Sequence, residues 1–264
     1  MNADGLQDSR LSVEIRGPVM EITFDHPPAH AVNEKMSRDL TAAIQRLEDD
    51  PALRMAIVTA TGDRMFCAGW DLKSVAAGET GEDFGPYGFM GLKRNDMRKP
   101  VICAINGLAV GGGFEFALNS QIVICAEGVE FALPELQRGF IPEAGALWRA
   151  HRRLPHNLAT ELLLTGRRLT ADEGLRLGFV NRIVPRADLM AIAREMAERI
   201  CASAPLAIAA YLEVLQAVEG STDQQAWDLL YSGLPARDAM RASDDFNEGP
   251  RAFAEKRAPV WKGR

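Results

Sequence analysis

The sequence predicts an α/β fold followed by a helical region, and two observations carry that prediction. Apolar runs of strand length, each leading through a turn into a segment with helical spacing, recur up to about residue 150. Beyond Leu154 the pattern becomes mostly helical. With 264 residues the chain is large for one domain and long enough to bury a substantial core.

The elements follow in order. Residues 11–24 alternate apolar and polar on both sides of Gly17-Pro18, which predicts a hairpin, and His26-Pro27-Pro28 ends it. Asn33 is placed to cap a helix over Glu34–Glu48, where Met36, Leu40, Ile44 and Leu47 recur at helical spacing. Asp49-Asp50-Pro51 stops it. Arg54–Ala60 reads as a buried strand, and the turn Thr61-Gly62-Asp63 leads into Phe66–Leu72. Residues 78–88 hold four glycines and a proline, so a loop able to serve as a lid is expected there. Val101–Ile105 is a second buried strand, entering a glycine-rich turn and a helix over Gly113–Asn119; Gln121–Ala126 is a third. Helices are expected over 155–165, 171–177, 186–203, 203–219, 223–240 and 244–257, with a late strand at Phe179–Val184. Ala202-Ser203-Ala204-Pro205 separates a core, residues 1–201, from a helical region, residues 202–264.

The charge balance narrows the partners. A net charge of −6 and a pI near 5.4 argue against a nucleic-acid partner, which favours a basic face. A few well-placed Lys and Arg still suffice for a phosphorylated ligand. The first eight residues have neither a basic nor an apolar signal region, and no apolar run reaches membrane-span length. The four cysteines are scattered without a Cys-x-x-Cys spacing, which favours small core residues over disulfides and a cytoplasmic location. The four histidines show no metal-ligand spacing, and His26 and His30 are expected to be structural or exposed.

Two stretches are candidates for chemistry. Phe66-Cys67-Ala68-Gly69-Trp70-Asp71-Leu72 follows a strand, and Gly111-Gly112-Gly113 stand between a strand and a helix. Glycines there let a ligand approach the backbone, and the helix N-terminus directs free N–H groups and partial positive charge at it. A developing oxyanion suits such a place. Taken alone, the glycines fit a tight turn equally well, and they lack the dinucleotide-binding spacing. Two carboxylates sharpen the reading. Glu115 sits among Phe114, Phe116, Ala117 and Leu118, and Glu135 follows Phe131-Ala132-Leu133-Pro134. Apolar surroundings raise a carboxyl pKa and suit it to proton transfer near neutral pH.

Together, Phe66–Leu72, Lys99–Leu118 and Phe131–Gly139 resemble the signature of the crotonase (enoyl-CoA hydratase/isomerase) family, in an order and spacing that span the core from about residue 11 to about residue 200. The resemblance implies the crotonase (ClpP-like) spiral of ββα units, with a helical C-terminal region that builds trimers, often paired into hexamers. It implies an oxyanion hole from the backbone N–H groups of Trp70 and Gly112, and Glu115 and Glu135 as the hydratase carboxylates. Ala29–Ala31 and Ala68–Leu72 match stretches that hold CoA, with Gly69, Asp71 and Leu72 in the second. Leu108, Gly111 and Pro134 flank the same site, and Phe253 and Lys256 match positions that complete a CoA site, in some members on a neighbouring subunit. No metal, and no cofactor beyond the CoA thioester substrate, is implied.

Within the family the chain most resembles the carnitinyl-CoA dehydratase (crotonobetainyl-CoA hydratase) subgroup, through Phe66–Lys73, Asp83–Pro86, Ser203–Ala210 and the tail Glu248–Arg264. Aromatic faces attract a quaternary ammonium, and Trp70, Phe84, Tyr87 and Phe89 lie in or beside the expected lid; a plain acyl pocket uses the same residues. One departure concerns substrate. Gly145-Ala146 stands where the family carries Gly-Gly, and Leu147–Arg153 is bulky and basic, which alters the acyl group if that stretch lines the pocket. The alternatives are a general short-chain enoyl-CoA hydratase, an isomerase, which needs one working carboxylate, and a CoA-binding scaffold without turnover.

Overall fold

The computed structural model describes residues 10–94 and 96–264; the eight N-terminal residues read for a targeting signal lie outside them. The predicted hairpin is β1 (Leu11–Arg16) and β2 (Val19–Phe24), antiparallel with Arg16 opposite Val19. Gly17 takes a φ of 57°, the left-handed value a tight turn needs. Helix α1 (Glu34–Asp49) begins where Asn33 accepts a hydrogen bond from the Met36 N–H at 2.9 Å. At its other end the Lys99 ammonium donates to Leu47 O and Asp50 O, which have no helical partner left.

Three ββα turns then wind the spiral. The first is β3 (Met55–Ala60), β4 (Met65–Cys67) and α2 (Leu72–Ala76). Next come β5 (Val101–Ile105), β6 (Leu108–Val110) and α3 (Gly112–Asn119). The third is β7 (Ile122–Ala126), β8 (Glu130–Ala132) and α4 (Ala146–Arg153). The chain continues through α5 (His156–Thr165), β9 (Leu169–Thr170), α6 (Ala171–Arg176), β10 (Arg182–Val184) and α7 (Leu189–Cys201).

The first strand of each turn joins one sheet and the second strand joins another. Among the described residues the sheets have the orders β1-β2-β3-β5-β7-β10 and β4-β6-β8-β9, with β2 to β10 parallel in the first and β4, β6 and β8 parallel in the second. Every residue of β3 and β5 is buried, as a parallel sheet covered on both faces requires. Helix α7 packs across β3, β5 and β7 through Leu189, Ala193 and Ala197. Asn106 staples two corners of the spiral: its amide donates to Ala60 O and Gly62 O, both at 2.9 Å. Buried Cys67, Cys103 and Cys125 are free thiols.

The C-terminal region holds α8 (Pro205–Ala217), α9 (Asp223–Leu230), α10 (Pro235–Ala242) and α11 (Asp244–Ala254). Here the structure corrects the expected single helix over 223–240, which is broken at Ser232-Gly233-Leu234. Gly233 has a φ of 91°, and Pro235 disfavours helical geometry at Leu234 while suiting the first turn of α10. The late strand is shorter than expected, because Phe179 and Val180 close the turn after α6. Helix α4 and the short strands of the second sheet were not expected. Among the described residues no single helix is long and apolar enough to cross a membrane.

Candidate active site

The site is assembled at the C-terminal ends of three neighbouring parallel strands, β4, β6 and β8. After β4 the chain runs beside residues 29–32: Ala68 N–H donates to Ala29 O, Val32 N–H to Gly69 O and Asp71 N–H to Val32 O, at 2.8–3.0 Å. The stretches expected to hold CoA are therefore side by side. Because Val32 bonds the residues flanking Trp70, the Trp70 N–H points to the other side of this ladder. After β6, Gly111 donates to Ala132 O at 2.9 Å and turns into α3 with a φ of 54°. A methyl group on Gly69 would lie 2.7 Å from the Gly112 nitrogen, so Trp70 and Gly112 come together only because residue 69 lacks a side chain. Among the described residues neither the Trp70 nor the Gly112 N–H donates to a backbone carbonyl, and Gly112 stands at the positive end of α3.

Glu115 occupies the first turn of α3 and is 3% exposed. Its Oε1 accepts the Ala146 N–H at 3.0 Å. Burial pushes its carboxyl up to about 7; the Ala146 amide opposes the rise, the Glu135 charge adds to it, and the Ala144 amide and Arg149 oppose it. Glu135 ends the segment after β8 and is 6% exposed. Burial raises it to about 6, against its own backbone N–H and Arg138. Its Oε1 rests on Gly111, where an added methyl group would approach to 2.7 Å, and its Oε2 is buried without a hydrogen-bond partner among the described residues. Two buried carboxyls that ionise near neutral pH, one with a free oxygen, are equipped to exchange protons with a bound molecule.

An aromatic arc runs from the Trp70 ring to Gly112. The Trp70 and Phe84 rings meet edge to face at 5.5 Å, Phe84 meets Phe89 at 4.9 Å, and Phe89 covers the Gly112 Cα so closely that no side chain fits at residue 112. The Trp70 indole N–H donates to Glu79 at 2.9 Å; the same Glu79 oxygen accepts the Glu34 N–H, and Glu34 accepts the Gly81 N–H. The glycine-rich loop expected as a lid is thus tied to the start of α1. The Arg94 guanidinium lies 4.6 Å over the Tyr87 ring.

Several predicted residues have local tasks or lie elsewhere. The Asp71 carboxylate caps α2 through Lys73 N–H, and Leu72 is partly exposed beside it. Leu108 begins β6, and Pro134 directly precedes Glu135. His30 is buried between the His26 N–H and Thr61 O, which fits a structural imidazole. Phe253, 87% exposed, and Lys256 belong to the C-terminal segment, and no hydrogen bond or ring contact joins them to the site among the described residues. The basic stretch 147–153 is α4. Trp148, Arg152 and Arg153 line a groove of about 1220 Å³ between α4 and α8, and neither carboxylate is on its lining. Sequence reasoning missed the Ala146 N–H, Glu79 and Arg149; the first is a backbone donor on an unpredicted helix.

A sequence model of the enoyl-CoA hydratase/isomerase family matches residues 14–264. The chain is 48% identical over 257 residues to carnitinyl-CoA dehydratases of Proteus mirabilis and Salmonella typhi, covering 96% of this chain and 98% of theirs. Among solved structures it resembles enoyl-CoA hydratases of Mycobacterium tuberculosis (TM-score 0.88) and Mycobacterium marinum (TM-score 0.89), each 35% identical and covering 97% of this chain and 99% of the other.

Proposed function

The chain belongs to the enoyl-CoA hydratase/isomerase family, and within it we propose a hydratase/dehydratase that adds or removes water across the α,β double bond of an enoyl-CoA thioester, with carnitinyl-CoA/crotonobetainyl-CoA as the substrate pair. The observation that carries the reading is the placing of two buried carboxyls, raised to about 7 and about 6, beside two backbone N–H groups with no carbonyl to serve.

The thioester oxygen accepts from Trp70 N–H and Gly112 N–H, so negative charge gathers there as the enolate forms. A donor of this kind is worth about 3–4 kcal/mol in the transition state. Glu135 rests on Gly111, next to the oxyanion donor, and so serves the α-carbon bonded to the thioester carbonyl. Glu115, held by Ala146 N–H, takes a proton from water as the water oxygen bonds to the β-carbon. Glu135 delivers its proton to the α-carbon, and elimination runs the same steps backwards. These groups suffice for the reaction without a metal or a cofactor beyond the CoA thioester.

Backbone from Ala29 to Ala31 and from Ala68 to Leu72 receives the CoA arm in this reading, and Phe253 and Lys256 complete the site on a neighbouring subunit of a trimer or a dimer of trimers. Exposed Tyr211, Trp227, Tyr231 and Phe253 on the C-terminal region support such an interface. The partners are then the acyl-CoA and copies of the chain, with no nucleic acid and no membrane, in the cytoplasm, which free thiols suit.

The relatives' names and the Trp70–Phe84–Phe89 arc support a quaternary ammonium on the acyl group. The close cover of Phe89 on Gly112 also fits a plain short-chain acyl pocket, the second reading. Loss of the conjugated-thioester absorbance, followed with crotonobetainyl-CoA and crotonyl-CoA side by side, separates the two. The first reading requires much the higher kcat/KM for crotonobetainyl-CoA; a preference for crotonyl-CoA makes this a general hydratase, and turnover of neither refutes both.

A further inference from the structure

Arg149 lies one helical turn after Ala146, whose N–H holds Glu115. Its half-buried guanidinium meets two carbonyls and no carboxylate: Nη1 donates to Ala144 O at 2.9 Å and Nη2 to Leu92 O at 2.8 Å. The two carbonyls belong to separate turns, and both residues line the groove between α4 and α8 together with Arg149. Ala144 opens the turn that presents Ala146 N–H to Glu115. Leu92 closes the turn after Phe89, through Leu92 N–H to Phe89 O at 3.0 Å, and Phe89 is the ring that covers Gly112. Gly145 has a φ of 124°, and any side chain there would run into the guanidinium folded across it. Gly145, the first residue of the Gly145-Ala146 pair, therefore makes room for this clamp.

We propose that Arg149 is a positioning residue for the hydration step, locking the Ala144–Ala146 turn to the Phe89–Leu92 turn and so fixing Glu115 relative to the Gly112 donor, with a positive charge beside the ionised Glu115. The inference rests on the hydratase reading for its kinetic consequences and on the geometry alone for its electrostatic one. A planar fork that reaches two carbonyls at once is specific to arginine; a lysine ammonium keeps the charge and not the bridge. Charged groups facing Glu115 are Glu135 from the end of β8 and Arg149 from α4, with Arg138 acting on Glu135. Of the other elements packed on α3, β6 and the Phe89–Gly91 turn carry no titratable side chain and β4 contributes the neutral Cys67 thiol.

The test uses Arg149→Gln and Arg149→Lys in the full chain, with kcat and KM measured across pH. Arg149→Gln lowers kcat at least about tenfold with KM changed less than about threefold, because positioning is lost and not ground-state binding. It also moves the alkaline limb of the kcat profile to higher pH, by about half a unit or more, because that limb follows Glu115, the higher-titrating carboxyl of the pair, which loses its positive neighbour. Arg149→Lys keeps the limb in place and still lowers kcat. An unmoved limb in folded Arg149→Gln, or wild-type kcat in Arg149→Lys, overturns the proposal; if Arg149→Gln does not fold, the Lys variant decides. A second readout needs no turnover. The melting temperatures of wild type and Glu115→Gln separate as pH rises above about 4.5 and stop separating where folded Glu115 ionises, and the same pair made in the Arg149→Gln background stops separating at higher pH. Levelling off at the wild-type pH refutes the proposal even if no enoyl-CoA proves to be a substrate, so the two readings fail separately.

Discussion

At the scale of single residues, the site depends on what is missing at 69, 111 and 112. Alanine at 112 meets both the Phe89 ring and the Gly69 Cα, and displacing either moves a backbone N–H proposed as an oxyanion donor. Gly112→Ala is expected to cut kcat by about 10²–10³, the loss of one such donor, with CoA-ester affinity largely kept. Steady-state kinetics beside a binding titration checks this. The carboxyls carry a stability signature as well. Burial raises folded Glu115 from 4.5 to about 7, so the stability that its protonated form contributes is full below about pH 4.5 and is lost as pH rises through about 7. Glu115→Gln removes that loss, so its melting temperature gains on wild type between pH 5 and pH 8, and parallel melting profiles would contradict the shift. Glu115 and Glu135 were legible in the sequence because carboxyls stand out in apolar company. The Ala146 N–H and the Arg149 fork were not, since a backbone donor has no residue type and the carbonyls Arg149 reaches lie 5 and 57 positions away.

At the scale of elements, three strand ends deliver three parts of one site, and the corners between strands set their spacing. Asn106→Ala leaves Ala60 O and Gly62 O without its amide, and a loss of about 1–3 kcal/mol in urea unfolding is expected. An unchanged midpoint would show that the corners do not need the staple. The long strands and α1 were readable because six or more residues display a period and Asn33 is a recognisable cap. Strands of two or three residues, such as β4, β6, β8 and β9, are too short to show one, so the second sheet was invisible although it carries the site. The break between α9 and α10 had a signal in Gly233 and Pro235, outweighed by the apolar spacing around it.

At the scale of the molecule, Phe253 is exposed, and among the described residues no hydrogen bond or ring contact joins it or Lys256 to the carboxylates of their own chain. Light scattering is expected to give three or six times 28.9 kDa. Phe253→Asp is expected to raise KM for the CoA ester several-fold with kcat held, because the shared-site proposal sets residue 253 against the CoA arm and not the reacting carbons. A monomer in solution with wild-type KM in this variant would remove the shared-site reading.

The most direct test of the account as a whole is the double variant Glu115→Gln, Glu135→Gln, measured for both turnover and CoA-ester affinity against wild type. The account predicts turnover lost to the limit of detection with the dissociation constant of the thioester little changed, because the backbone proposed to hold the thioester oxygen and the CoA arm is untouched. Turnover within about tenfold of wild type would contradict it, since removing both members of a working acid/base pair costs far more than that.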